Sequence, residues 1–367
     1  MALAIAAALA IGATVAGGTA AATRSQRGWC KAESSAAWQR VVSRHIVALS
    51  KTTPLVPLAI AGDGRSFIAA VYSRSFSGVA SIGAKTGALT PIRAFPDPKF
   101  DQAAAAFDGR WLVWNEYHGF DSFNDFTTWA WDAHTRKLAQ IGAATRGPSG
   151  QFWDSPWRGP DVHDGIATWV QGVGPNQLGE VHTYNLHSGR DLVVRHGHPV
   201  AAFLLNRHLV IWAEASAPGV PARMHAASAV NGASARLPRA LLSLRNVTGL
   251  KTDGSRIAYP DARYKSLWWA PSPSAEPREV VPTRHLHHVD NSVLVSGRFV
   301  GFGIYPETFL ADTTIGRYVE LSNHGGWTIV NNTDLLVVYG TTKKVLHPLL
   351  RVAFVPLRDL PLMPICS

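Results

Sequence analysis

The chain has 367 residues, of which 46% are hydrophobic and only 16% charged. That composition excludes a disordered chain and leaves ample apolar material for a core. The net charge of +10 is spread over scattered basic residues, with no Lys/Arg run longer than Lys343-Lys344, so it lacks the basic stripe of a nucleic-acid binder.

Met1 to Ala22 carries no charge and is rich in Ala, ending in Thr19-Ala20-Ala21-Ala22 before the polar Thr23-Arg24-Ser25. Small residues at that boundary suit a signal peptidase, so residues 1–22 are read as an export signal. The basic flank such signals carry is missing, as expected if the true start lies upstream. A retained N-terminal membrane anchor is the rival reading, because about 20 apolar residues can span a bilayer; Ala and Gly are weakly apolar, which favours cleavage.

Residues 23–37 read as a polar lead-in, and residues 38–367 as one domain. Arg40-Val41-Val42 and His45 to Leu49 look β-like, and Leu58 to Ala61 runs into a first Asp-Gly turn. A unit then recurs. Asp63-Gly64-Arg65 precedes Phe67 to Tyr72 and, after a further strand, the turn Ala84 to Gly87. Asp108-Gly109-Arg110 opens the clearest copy, with Trp111 to Trp114, Thr127 to Trp131 and Leu138 to Ile141. Further copies begin at Asp164-Gly165, Asn206-Arg207, Asp253-Gly254, Ser296-Gly297 and Asn332-Thr333. Seven units result, spaced by about 36 to 56 residues, in the range of propeller blades.

The pattern has a physical cause. An Asp/Asn-Gly pair accepts the positive φ of a tight turn. The strand after it, as in Leu335-Leu336-Val337-Val338, is apolar on both faces, as a strand between two packed blades must be. The expected architecture is therefore an all-β propeller of seven four-stranded blades, with six or eight as the alternatives the uneven spacing allows. Its ring would close by pairing Arg44 to Leu49, or Leu55 to Ala61, with Leu350 to Val355. Cys30 and Cys366, the two cysteines, are expected to form a disulfide that locks this seam.

These Asp-Gly-Arg/Ser turns before apolar strands, with Thr/Ser-Gly turns after the next, resemble those of the TolB-like and WD-repeat-like bacterial β-propellers. The resemblance spans roughly residues 58–360. No copy holds a W-D dipeptide with its partner His in register, and the sialidase-type Asp box is absent. The resemblance implies a fold and a binding role in the cell envelope or periplasm, and it transfers no catalytic residue.

Chemistry has two candidate locations. His285, His287 and Asp290 could ligate a metal, with both imidazoles on one face of a strand; the opposing reading is a polar loop in a His-rich chain, and neither metal nor cofactor is expected. The long loop of the second unit and the segment after it supply Glu116, His118, Asp121, Trp153, Asp154, Trp157, Asp161 and His163. Aromatic rings beside carboxylates suit a sugar site, with a carboxylate pair as acid and base. The plainer reading packs the rings between blades and uses the acids as turn caps.

The expectation is a secreted or extracytoplasmic, monomeric binding or scaffold module for a protein or envelope polymer. No nucleic-acid partner is expected, and peripheral or N-terminal membrane attachment is compatible with the same reading. The alternative is a carbohydrate-active hydrolase or lyase using Glu116, Asp154 or Asp161 at the central pocket.

Overall fold

The computed structural model describes residues 29–32, 35–49, 54–97, 102–118, 124–155, 159–216, 220, 222–242, 244, 249–261, 265–282, 293–304, 307–324, 326–340 and 350–366. Residues 1–22, read above as an export signal, and Asp121, Trp157, His285, His287 and Asp290 lie outside the described residues. No helix among the described residues is long and apolar enough to cross a membrane.

Seven sheets form a propeller. Strand β1 (Cys30–Lys31) and helix α1 (Ala36–Arg44) precede the blades. Blade I is β2 (Leu55–Ile60), β3 (Ser66–Tyr72), β4 (Ser77–Gly83) and β5 (Leu89–Ala94). Blade II is β6 (Gln102–Phe107), β7 (Trp111–Tyr117), β8 (Phe126–Asp132) and β9 (Leu138–Ala143). Blade III is β10 (Asp161–His163), β11 (Ile166–Gly172), β12 (Gly179–Asn185) and β13 (Arg190–Gly197). Blade IV holds β14 (Pro199–Asn206), β15 (Leu209–Glu214) and β16 (Arg223–Ser228), its fourth strand shrunk to a bridge between Ala227 and Ser234.

Blade V is β17 (Lys251–Thr252), β18 (Ile257–Pro260), β19 (Ser266–Ala270) and β20 (Arg278–Pro282). Blade VI is β21 (Leu294–Ser296), β22 (Phe299–Ile304), β23 (Glu307–Asp312) and β24 (Arg317–Ser322), with β1 added in parallel at its outer edge. Blade VII is β25 (Gly326–Val330), β26 (Asp334–Gly340) and β27 (Leu350–Pro356).

The first strands β2, β6, β10, β14, β17, β21 and β25 touch in succession, and β25 returns to β2, which closes the ring. The apolar strand after each Asp-Gly turn is thus second from the axis. It carries the core: β11 is buried along its whole length and β3 along Phe67 to Val71. Both faces are covered because blades pack on each side, so Leu336 and Val338 join one cluster while Leu335 and Val337 join another.

The last blade is completed from the N-terminal side. Ile46 bridges Ala353 in antiparallel sense. The Val47 amide donates to the Val352 carbonyl at 2.8 Å and the Phe354 amide to His45 at 3.0 Å. The segment from Arg44 to Leu49 therefore supplies the closure, whereas Leu55–Ile60 forms the innermost strand of blade I. Arg40 to Val42 is helix rather than strand. The β-branched pair Val41-Val42 suggests extended chain, but Trp38 and Val42 stand four apart on one helical face, and both are buried against Val319, Leu321 and Val355 of blades VI and VII. Tertiary packing overrides the local propensity there.

Cys30 and Cys366 form the disulfide, with Cα atoms 6.0 Å apart. Cys30 lies in the strand edging blade VI, so the bridge fastens the C-terminal tail to that blade's outer edge. The ring seam itself is closed by the Ile46 pairing.

Candidate functional site

Alternating antiparallel strands put the Asp-Gly turns and the hairpins between third and fourth strands on one face of the ring. The loops between second and third strands, and the crossings to the next blade, lie on the other. The loop after Tyr117 and the crossing after Ala143 are therefore neighbours on this second, loop-bearing face.

Asn124 ties them together. Its Nδ2 donates to Asp154 Oδ1 at 2.8 Å, and its Oδ1 accepts the Ser155 amide at 3.0 Å. Ser155 Oγ in turn accepts the Gly172 amide at 2.9 Å, which anchors the crossing to β11. Gly172 has to be glycine, since a Cβ there would come 2.3 Å from the Asp154 carbonyl. The crossing also folds on itself: Arg146 bridges Phe152 and stacks over its ring at 3.7 Å, while the Trp153 amide donates to Thr145. Trp153 is half-buried, its ring lying where a Cβ on Gly147 would meet it. Asp154 is exposed.

His118 is half-buried, with its Nε2 3.1 Å from the Thr127 hydroxyl and its amide donating to Asp125. Glu116 is fully buried on β7. Arg93 of β5 clamps it with two bonds, Nε to Oε2 at 2.8 Å and Nη2 to Oε1 at 3.0 Å. The same guanidinium lies 3.7 Å from the centroid of the Trp129 ring. Glu116 is thus a strut between blades I and II.

Asp161 and His163 lie on the innermost strand of blade III. One Asp161 oxygen accepts its neighbour Val162 amide and the other the Leu204 amide at 2.9 Å, which couples blades III and IV. Burial of this carboxyl group pushes its pKa up; Lys251, the two amides and His163 oppose the shift without cancelling it. His163 Nδ1 is 3.3 Å from the Asp164 carboxylate, and its other nitrogen packs against Gly254 of blade V.

Among the eight candidate residues, the structure joins Asp154 to the long loop and places Trp153 beside it. It assigns Glu116 and Asp161 to contacts between blades. Among the described residues no group of three His, Cys, Asp or Glu side chains could hold a metal ion. Sequence reasoning missed Asn124, the residue that joins the two loops; its place between two aromatic-rich segments was the available signal.

No protein family's sequence pattern and no curated protein matches this chain. Solved structures do. The chain shares the β-propeller fold. An oligogalacturonate lyase from Vibrio parahaemolyticus aligns over 83% of this chain and 92% of its own, at 12% identity and a TM-score of 0.54. The β-propeller domain of the Trilobed protease from Pyrococcus furiosus aligns over 84% and 94%, at 9% identity and a TM-score of 0.52. TolB from Acinetobacter baumannii also matches, over 83% of this chain and 63% of its own, at 10% identity and a TM-score of 0.41. Identities this low speak for the fold alone, and one fold carries many functions.

Proposed function

We propose that this chain is an exported, non-catalytic binding module that recognises a protein or cell-envelope component with the loop-bearing face of blades II and III. The observation that carries the reading is the Asn124 bridge. One side chain ties the end of the long loop at Asn124 to the next crossing through Asp154 and Ser155, so this junction is held before any partner arrives, which lowers the entropic cost of binding there. Long loops on a rigid scaffold are where such recognition sits. The acids that an enzyme reading would use have other work: Glu116 is clamped by Arg93 and Asp161 accepts two amides. The disulfide suits an oxidising compartment outside the cytoplasm, and the +10 charge suits anionic surroundings.

One observation favours a second reading, a carbohydrate-active hydrolase or lyase. Asp161 has a raised pKa and stands on an inner strand with Lys251 and His163 near it; shifted carboxyl groups cluster at catalytic sites.

Affinity capture from a detergent-solubilised cell-envelope fraction tests the proposal. The wild-type chain is expected to retain a specific component saturably. Asn124→Ala should weaken that retention by about tenfold, the loss of about 1.4 kcal/mol, with the melting midpoint unchanged. Retention indifferent to Asn124→Ala, or none, contradicts the loop-face reading.

A further inference from the structure

The blades repeat closely enough that departures from the repeat can be located residue by residue. In the hairpin between third and fourth strands, the first position faces the residue after the Asp-Gly-Arg turn. It is Asp132 opposite Trp111, Asn185 opposite Ile166, Ser228 opposite Leu209 and Asp312 opposite Phe299. Where the turn ends in Arg, this position is an acid that pairs with it: Arg110 with Asp132 at 2.8 Å and Arg298 with Asp312 at 3.4 Å. Blade I keeps the arginine, Arg65, but the position opposite Ser66 is Gly83. Among the described residues no carboxylate pairs with Arg65.

A second departure faces the first. Four positions into the same hairpin stands Gly87, Gly189, Gly232 or Gly316, each in the left-handed region at φ 65°, 71°, 73° and 67°. Blade II holds Arg136 there, at φ 59°. Its amide makes the same bond to the hairpin's first residue as the glycines make, at 2.7 Å. A long side chain is held where the repeat uses none, in a conformation that L-residues avoid. Arg136 has no acidic partner among the described residues either.

Both departures open onto one groove between blades I and II on the Asp-Gly face, of about 690 Å³. Arg65 and Gly83 stand on one wall, His134 and Arg136 on the other. Trp131, half-buried, lines it between them, and Ser66, Ser81 and Thr90 add hydroxyl groups. One departure removes a negative charge and the other adds a positive one; Asp63 also lines the groove, its carboxylate taken up by the Arg65 and Ser66 amides and the Ser66 hydroxyl, so two guanidinium groups face one internally bonded carboxylate.

We propose that this groove binds an acidic saccharide, a sugar unit carrying a carboxylate. The guanidinium groups match a carboxylate in planar, bidentate fashion. The Trp131 indole offers a flat face to the C–H side of a pyranose ring, and the hydroxyl groups of Ser81 and Thr90 match sugar hydroxyls, with Ser66 left as an acceptor because its own hydroxyl donates to Asp63. The carboxylate occupies the place that Asp132 and Asp312 fill in their own blades. This site lies on the face opposite the loops and stands or falls independently of the loop-face reading.

Calorimetric titration of the full chain with tetrasaccharides of glucuronate, galacturonate and mannuronate tests it, beside a neutral galactose tetrasaccharide and a tetra-aspartate peptide. At least one uronate is expected to bind at least tenfold more tightly than the neutral sugar and the peptide. Gly83→Asp, which supplies the missing partner to Arg65 from within, should cut that affinity tenfold or more. Arg136→Gly, which restores the repeat's glycine, should do the same while the melting midpoint holds or rises, so the test survives if Gly83→Asp fails to fold. Arg190→Ser removes one exposed charge from blade III and should change nothing. The proposal is overturned if no uronate binds, if the neutral sugar or the peptide binds as well, if Arg136→Gly binds as wild type, or if Arg190→Ser costs as much as Arg136→Gly.

Discussion

The carboxylate of Asp108 holds the amide of Gly165, 57 residues ahead in the next blade, at 3.0 Å through its Oδ2. Its Oδ1 meanwhile caps its own turn, accepting the amides of Arg110 at 2.9 Å and Trp111 at 2.7 Å. Asp253 repeats the arrangement, capping Ser255 and Arg256 while its Oδ2 accepts Gly297 at 2.8 Å. In these two turns the residue that makes the turn also joins it to the next blade.

Asp63 makes the same cap, but its second oxygen accepts the Ser66 hydroxyl inside its own turn. Asp108→Ala should therefore destabilise by about 2–4 kcal/mol, since it strips a charged acceptor from three amides. Asp63→Ala should cost only about 1 kcal/mol, as for an ordinary cap. Urea unfolding of the two variants checks the difference; equal losses would remove the inter-blade role.

Arg93→Ala should be among the more damaging single changes on the blade I–II seam. It leaves the fully buried Glu116 without its counter-charge and removes a cation from the Trp129 face. The expected cost is about 3 kcal/mol or more. Replacing both partners by leucine should recover most of it, because no buried charge then remains. A double variant as unstable as Arg93→Ala in chemical unfolding would contradict this.

Acid should act on two kinds of carboxyl group in opposite directions. The hydrogen bond from Arg110 holds the Asp132 pKa well below the usual carboxylate range. For Glu214 burial works the other way, and hydrogen bonds from Arg195 and Trp212 outweigh it, so its pKa is lowered too. A lowered folded-state pKa stabilises above the unfolded value, and that contribution is lost as pH falls through about 4 towards the folded value. Asp161, raised by burial, does the reverse: its ionised form burdens the fold, and stability recovers as pH falls through its folded pKa. Asp161→Asn removes that burden but leaves only one oxygen for the Val162 and Leu204 amides, so its melting midpoint relative to wild type should be higher at neutral pH than below about pH 4. Asp132→Asn should lower the midpoint at neutral pH, with the loss shrinking in acid. Melting curves against pH check both signs.

Reduction of the Cys30–Cys366 bridge should weaken the protein without opening the ring. The loop closed spans 336 residues, for which chain entropy gives about 5–6 kcal/mol as a ceiling. The tail loses its covalent tie to blade VI, while the Arg317 bond to the Pro364 carbonyl and the Ile46 closure remain. A reduced chain that has lost its β-sheet circular dichroism at ambient temperature would show that the bridge closes the ring.

The sequence carried the architecture because each Asp-Gly turn is a local signal. Asp63, Asp108 and Asp253 accept amides two and three residues on, so in these three blades chemistry within five residues marks the hairpin. Helix α1 was hidden because Val41 and Val42 favour strand locally, while the decisive contacts of Trp38 and Val42 lie some 280 residues or more away, at Val319 and Val355. Glu116 resembled a free acid because Arg93 comes from another blade, 23 residues back. The Asn124–Asp154 link was half legible, as two aromatic-rich segments close in sequence. The cationic groove required comparison between copies: Gly83 against Asp132 and Asp312, Arg136 against Gly87 and Gly316.

The central claim is recognition without turnover by a pre-shaped ring face. The most direct measurement is a glycan-array and envelope-fraction binding screen of residues 23–367 at low and high salt, with each bound saccharide then assayed for cleavage. The account predicts saturable binding that survives salt beyond simple screening, with the bound component recovered intact. Cleavage of a bound saccharide that disappears in Asp161→Asn would contradict it and make the inner-strand carboxyl group catalytic.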